Sequence, residues 1–133
     1  MKRSLFLAIA VMFVVALSSC TKKYVTPNNN ITVVDRVNVN RWVPSDDGKA
    51  FSAEIPMPEL DNYYNESGAV LAYIAFAPGV YEQIPQVYDG ISYSFYHSIG
   101  KVVIYAQTAS GSAPVKPQNN LDVKVVLIES NEY

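Results

Sequence analysis

The chain has 133 residues, of which 50% are apolar and 17% are charged, and its formal net charge is −2. This length predicts one domain with short flanking segments, because domains usually contain about 100 to 200 residues. The slight acidity argues against a surface that binds nucleic-acid phosphates. One Cys and one His exclude an internal disulfide and a four-ligand structural zinc site.

The first predicted element is a secretion signal in residues 1–19. Lys2 and Arg3 precede thirteen apolar residues, 5–17, whereas a helix that crosses a bilayer needs about 18 or more. Small residues follow the apolar segment, as they do before a signal-peptidase site. Removal of residues 1–19 lowers the number of basic residues from 10 to 8 against 12 acidic ones, so the net charge becomes −4.

The end of this segment consists of Leu17, two small residues (Ser18 and Ser19) and Cys20. It resembles the lipobox of bacterial lipoproteins. The resemblance implies cleavage between Ser19 and Cys20, a diacylglyceryl thioether on the Cys20 sulfur, and acylation of the new N-terminus by a fatty acid such as palmitate. Two or three acyl chains hold a protein permanently, since each buried CH₂ contributes about 0.8 kcal/mol. The alternative is an ordinary signal peptide that happens to end near a Cys.

Residues 20–30 are predicted to comprise the lipidated Cys and a flexible tether. They are polar, contain Pro27 and show no hydrophobic period. Fully extended, the tether spans only about 35 Å at roughly 3.5 Å per residue, which keeps the domain close to the membrane. In lipoproteins of the Bacteroidetes type, an acidic run after the Cys resembles a surface-export signal, whereas Lys22 and Lys23 stand here. We therefore expect an outer-membrane anchor, with the periplasmic face and the cell surface as alternatives.

From Ile31 onward the hydrophobic period is two, which is typical of β-strands. The clearest alternation runs from Ile91 to Ile99. Segments 70–76 and 102–106 are apolar at both odd and even positions, which predicts inner strands that are largely covered. Further predicted strands are residues 31–39, 51–57, 80–88 and 121–128.

Turn-forming sequences rich in Gly, Pro, Asp and Ser separate these strands. Only segment 58–65 has helical features, with Pro58 at the first position and Glu59 near the N-terminus. We therefore predict an all-β domain over residues 31–133. Its expected architecture is an antiparallel β-sandwich of about seven strands with one short helical region near 58–65.

Six segments of the mature chain carry a likeness to known proteins: Trp42 with the following turn, 55–60, 68–73, 81–85, 91–99 and 121–128. Together they resemble a group of small Bacteroidetes-type lipoproteins of unknown function. The resemblance implies the fold and the envelope location. It brings no catalytic residues with it.

His97 is the only imidazole, and its position in the alternation places it with Tyr93 and Phe95. We interpret it as structural, because the sequence lacks the motifs of nucleophilic hydrolases and zinc peptidases. The turn 46–48 lacks the spacing of a calcium loop, so we expect no metal and no cofactor. The hypothesis of a small hydrolase is retained, since a glycosidase needs only two carboxyl groups about 5 to 9.5 Å apart. The available acids include Glu54, Glu59, Asp61, Glu66, Glu82 and Asp89.

Ten Tyr and one Trp are the feature most indicative of binding. Tyr63, Tyr64, Tyr88 and Tyr96 fall in predicted loops or at polar positions of strands. Aromatic faces stack on sugar rings, and Tyr contacts protein surfaces with little loss of entropy. Exposed aromatic side chains at Trp42, Tyr63 and Tyr64 are therefore the candidate ligand contacts. The alternative is that Tyr is simply a good strand residue.

These features give three functional hypotheses. The first is a non-enzymatic lipoprotein, anchored through Cys20, with a structural or protein-interaction role in the envelope. The second is a glycan-binding module that uses exposed aromatic side chains, and the third is a small hydrolase. Nucleic acid is not expected as a partner, because base stacking on aromatic side chains would need basic residues among them and the mature domain is acidic.

Overall fold

The computed structural model describes residues 29–130. The expected signal peptide 1–19 and the lipid attachment at Cys20 lie outside the described residues, as does most of the expected tether. In the part of the chain that is described, no helix has the length and apolar character needed to span a bilayer.

The described residues form an all-β fold of two antiparallel sheets, as the hydrophobic period predicts. Sheet A has the strand order β1-β9-β4-β5, and sheet B has the order β2-β3-β8-β7-β6. The strands are β1 (Ile31–Val37), β2 (Val43–Pro44), β3 (Phe51–Pro56), β4 (Ala69–Ala77), β5 (Val80–Ile84), β6 (Gln86–Tyr88), β7 (Ile91–Ser98), β8 (Lys101–Thr108) and β9 (Leu121–Ile128).

Residues 29–130 contain nine strands rather than about seven. One addition is the two-residue strand β2. The other arises because the predicted strand 80–88 divides at Pro85, with β5 pairing in sheet A and β6 in sheet B. Proline has no backbone N–H, so it cannot continue a ladder, and the chain passes from one sheet to the other at this residue.

The helical region begins later than predicted. Helix α1 spans Asn62–Glu66, and a single 3₁₀ turn spans Val39–Arg41. Asp61 is the N-cap of α1, and its side chain accepts a hydrogen bond from the Tyr64 N–H at 3.0 Å. Because Asp is a preferred N-cap residue, the helix starts after Asp61 and Pro58 lies in the turn before it.

The core lies between the sheets and is made by the inward positions of each strand. The two predicted inner strands are confirmed, since β4 lies between β9 and β5, and β8 lies between β3 and β7. In β4 only one face is core, because Ala72 and Ile74 are buried while Leu71 and Tyr73 are half-buried. The largest fully buried side chains are Trp42, Ile55, Met57, Leu60, Ile74, Ile84, Ile104 and Leu127.

Arg41 connects the two sheets along one side of the sandwich. Its guanidinium donates to Asp35 Oδ2 at 2.7 Å, to the Arg36 carbonyl at 2.9 Å and to the Glu54 carbonyl at 2.7 Å. Arg36 lies in the edge strand of sheet A, and Glu54 lies in β3 beyond the end of its pairing with β2. Arg41 thus occupies backbone acceptors that another strand could otherwise use.

We expect Arg41→Met to lower the free energy of unfolding by about 1 to 3 kcal/mol, because two carbonyls and the Asp35 carboxylate lose their donor. Arg41→Lys should recover only part of this, since an ammonium lacks the planar fork of the guanidinium. Arg36→Met is the matched control, because the Arg36–Asp122 pair is solvent-exposed and should matter less. Denaturant unfolding of the full chain measures all three variants, and equal losses for both Met variants would contradict this role of Arg41.

Candidate functional site

An open groove of about 840 Å³ lies at one end of the sandwich. It forms where the β4–β5 turn, the β6–β7 turn and the β8–β9 loop (residues 109–120) meet. Arg36 of β1 and Asp122 of β9 line it from sheet A. Its volume falls in the range of about 300 to 1,000 Å³ that is usual for small-molecule sites.

Three aromatic side chains form one wall of the groove. The rings of Phe76 and Tyr88 are stacked, with centroids 4.2 Å apart and an interplanar angle of 6°. Phe76 also packs against Tyr93, with centroids 5.1 Å apart. Tyr88 is 43% exposed, whereas Tyr93 is 4% exposed. One Tyr ring is therefore held at the surface of the groove on a support that reaches into the core.

The β6–β7 turn fixes the position of Tyr88. The turn residues Asp89 and Gly90 both have positive φ, 47° and 74°, as the two central residues of a type I′ hairpin turn require. Tyr88 pairs with Ile91 directly beside the turn. The Ala109 N–H donates to the Gly90 carbonyl at 2.9 Å, which ties the turn to the start of the β8–β9 loop. This local geometry places the Tyr88 ring and the Asp89 carboxyl group on the same rim.

The groove contains an ion pair and a buried phenol whose pKa is raised. Arg36 binds Asp122 through two hydrogen bonds of 2.7 and 3.2 Å, and this pair lowers the pKa of Asp122 and raises that of Arg36. Burial raises the pKa of the Tyr93 phenol to about 12, and the nearby Asp89 and Tyr88 add to the rise. At neutral pH the groove therefore holds an ionised, paired Asp122 and a neutral Tyr93.

The polar side chains of the groove fall into two groups. The first group is hydrogen-bonded within the protein and shapes the loops: Thr108, Ser110, Gln118 and Asn120. The second group is Asp89, Lys116 and Asn119, whose side chains make no hydrogen bond or ion pair with any residue in 29–130. These three side chains are available to a ligand.

Trp42, predicted as a ligand contact, lies in the core instead. It is 2% exposed and meets Tyr93 edge-on, with centroids 6.5 Å apart. Its indole N–H has no hydrogen-bond acceptor among the described residues. A buried ring has no free face for a sugar or a protein, which corrects the expectation of an exposed aromatic side chain at this position.

Tyr63 and Tyr64 lie in α1, at the opposite end of the sandwich from the groove. The Tyr64 hydroxyl donates to the Asn29 carbonyl at 2.6 Å, and the Tyr63 hydroxyl donates to the Ser130 carbonyl. The two side chains thus hold the first and last described residues beside the helix. Tyr64 is 8% exposed and Tyr63 is 39% exposed, so the expectation of exposure is corrected for Tyr64.

The other residues weighed for catalysis do not meet in the groove, apart from Asp89. The Nδ1 atom of His97 lies 3.0 Å from Asn65 Oδ1. Glu54 pairs with Lys101 at 3.0 Å, and Asp61 caps α1. Within residues 29–130, no three His, Cys, Asp or Glu side chains are placed to hold a metal ion together.

Comparison with known protein families, curated proteins and solved structures gives no match for this chain. The candidate site is therefore defined by its geometry. Sequence reasoning named Tyr88 among the Tyr residues outside the core and Asp89 among the acids, but it did not bring them together. It missed Phe76, Lys116 and Asn119. The available signal was the Asp89–Gly90 hairpin turn directly after an aromatic residue.

We expect Tyr93 to reduce stability in alkaline solution. Its folded-state pKa of about 12 exceeds the unfolded value of about 10, so the unfolded chain ionises first. The stabilisation is fully present below about pH 10 and is lost as pH rises towards 12, by about 2 to 3 kcal/mol. Denaturant unfolding at several pH values, for the wild type and for Tyr93→Phe, measures this difference. An identical alkaline loss in both proteins would contradict the assignment.

Proposed function

We propose that the protein is a non-enzymatic lipoprotein of the bacterial cell envelope that presents its end groove for binding. The observation that carries the proposal is that the groove lies at the end of the domain opposite to its first described residues. At one end of β1, Ile31 pairs with Leu127, and at the other end Val37 pairs with Leu121, which lines the groove. Six residue steps along a strand separate these ends by about 20 Å.

This arrangement of the two ends suits a protein held at its N-terminus. A lipid on Cys20 keeps the end of the domain that contains Asn29 near the bilayer, since the tether reaches at most about 35 Å. The groove then lies at the end of the domain away from the attachment point, where a partner can approach it. A groove beside Ile31 would instead open towards the lipid headgroups.

The chemistry of the groove favours binding over hydrolysis. A glycosidase requires one carboxyl group with a raised pKa as the general acid. Asp122 is paired with Arg36 and its pKa is lowered, which is the wrong direction for that role. The stacked aromatic wall and the unpaired polar side chains instead offer a preformed recognition surface.

We expect Cys20→Ala to abolish incorporation of labelled palmitate and to move the protein from the membrane fraction to the soluble fraction. The circular dichroism spectrum should stay of the β type, because Cys20 precedes the domain. Ser18→Ala is the matched control, since it keeps a small residue in the lipobox and should retain the label. Continued labelling of the Cys20→Ala protein would refute the anchor.

The orientation can be measured separately, because the lipidated Cys20 leaves no other thiol in the chain. A fluorophore is attached through Asn119→Cys in the groove or through Ser130→Cys at the opposite end. After reconstitution into vesicles that contain an acceptor dye, we expect clearly stronger energy transfer from position 130, because the groove lies about 20 Å further from the membrane. Equal transfer from both positions, or stronger transfer from position 119, would contradict the proposed orientation.

A further inference from the structure

Tyr88 presents an aromatic face of a particular kind. Phe76 covers one side of its ring at 4.2 Å in a nearly parallel arrangement, so the 43% exposure of Tyr88 lies on its other face and edge. Phe76 is in turn packed against the buried Tyr93. The Tyr88 ring is thus fixed before any ligand arrives, which lowers the entropy cost of stacking on it.

The three polar side chains of the groove that lack a protein partner within residues 29–130 can form hydrogen bonds with hydroxyl groups. Asp89 accepts hydrogen bonds, Lys116 donates them, and the Asn119 amide does both. All three line the same groove as Tyr88. Sugar hydroxyls both donate and accept, so one ring stacked on Tyr88 can satisfy groups of each type at its edge.

The charges of the groove favour a neutral ligand. The ionisable groups that line it, apart from the neutral tyrosines, are Arg36, Asp89, Lys116 and Asp122. Arg36 and Asp122 neutralise each other in their ion pair, and the remaining two are one acid and one base. A groove without net charge gives no electrostatic advantage to an anionic chain.

The lining also favours a sugar over a protein. Within the groove the large exposed apolar side chains are Tyr88 and Val115. Protein interfaces have an apolar core of several side chains within about 800 Å² per partner. One stacked aromatic ring surrounded by polar groups is instead the pattern that suits a sugar ring, which has an apolar face and a polar edge.

We propose that this groove binds a neutral oligosaccharide, with one sugar ring stacked on Tyr88 and its hydroxyl groups bonded to Asp89, Lys116 and Asn119. The proposal rests on the proposed function and names the ligand class of the same groove. The groove is open at the end of the sandwich, so a sugar chain can extend beyond the stacked ring.

The test is a calorimetric titration of the full chain in detergent micelles with cellohexaose, maltohexaose and chitohexaose. We expect saturable binding of at least one of them. Tyr88→Ala should weaken that binding about tenfold or more, and Tyr88→Phe should retain most of it, because the stacking face is kept. Asn119→Ala should weaken it several-fold by removing a hydrogen-bonding group.

Tyr96→Ala is the matched control. Tyr96 is also 43% exposed, but it lies in β7 on the outer face of sheet B and does not line the groove. Its substitution should leave sugar binding unchanged. Circular dichroism of each variant verifies that the fold is intact, and Tyr88→Phe keeps the site testable if Tyr88→Ala fails to fold.

Three outcomes would overturn the proposal: no saturable binding of any of the three sugars, equal loss in the Tyr88→Ala and Tyr96→Ala proteins, or tighter binding of an anionic heparin hexasaccharide. Capture of a protein through Tyr88 without sugar binding would overturn it as well. Failure of the anchor is a separate result, since it is read from palmitate labelling. A protein that binds sugar but carries no lipid would refute the proposed function and leave the ligand class standing.

Discussion

Contact between the inner faces of the two sheets is the interaction on which the rest of the structure depends. Ile74 and Val125 of sheet A and Ile55 and Ile104 of sheet B are at most 1% exposed. Full burial of an aliphatic side chain contributes about 1.5 to 3 kcal/mol, so a set of such residues supports a domain without a disulfide. Sheets that pack face to face leave both ends of the sandwich to the connecting segments. Whether the connecting segments cover the core at each end therefore determines where a binding site can form.

The two ends are built differently. At one end, Met57, Leu60 and Tyr64 are buried where α1 and the turn before it cover the core. There, tyrosine hydroxyls bind the backbone at Asn29 and Ser130. At the other end, the β8–β9 loop has one buried residue, Pro117, and most of its other residues are exposed. Hydrophobic coverage closes the first end. At the second end, hydrogen bonds such as Ala109 N–H to the Gly90 carbonyl and Val39 N–H to Asn120 Oδ1 fix the loops, and the groove is the space that remains between them.

Hydrophobic alternation was sufficient to predict most of the strands but not their order in the sheets, because side-chain direction in a strand alternates with position and does not specify the pairing partner. The predicted strand 121–128 corresponds to β9, and the two inner strands are confirmed. The division of the predicted strand 80–88 at Pro85 and the start of α1 after Asp61 each depend on a single residue. The effect of that residue overrides the periodic pattern. The groove could not be predicted in the same way, since Phe76 belongs to sheet A and Tyr88 to sheet B. Their contact follows from the packing of the sheets, which periodicity does not encode.

The position of the groove follows from the direction of β1. β1 enters beside α1 and runs towards the groove, and β9 pairs with it in the antiparallel sense. Both ends of the domain, near Asn29 and Ser130, therefore lie on the side of α1. The opposite end of the described domain is formed by loops that connect strands. If the domain is held by a lipid on Cys20, as proposed, the direction of β1 puts these loops at the end that lies away from the attachment point. The residues 109–120 can then vary to suit a ligand without disturbing the end of the domain that contains α1.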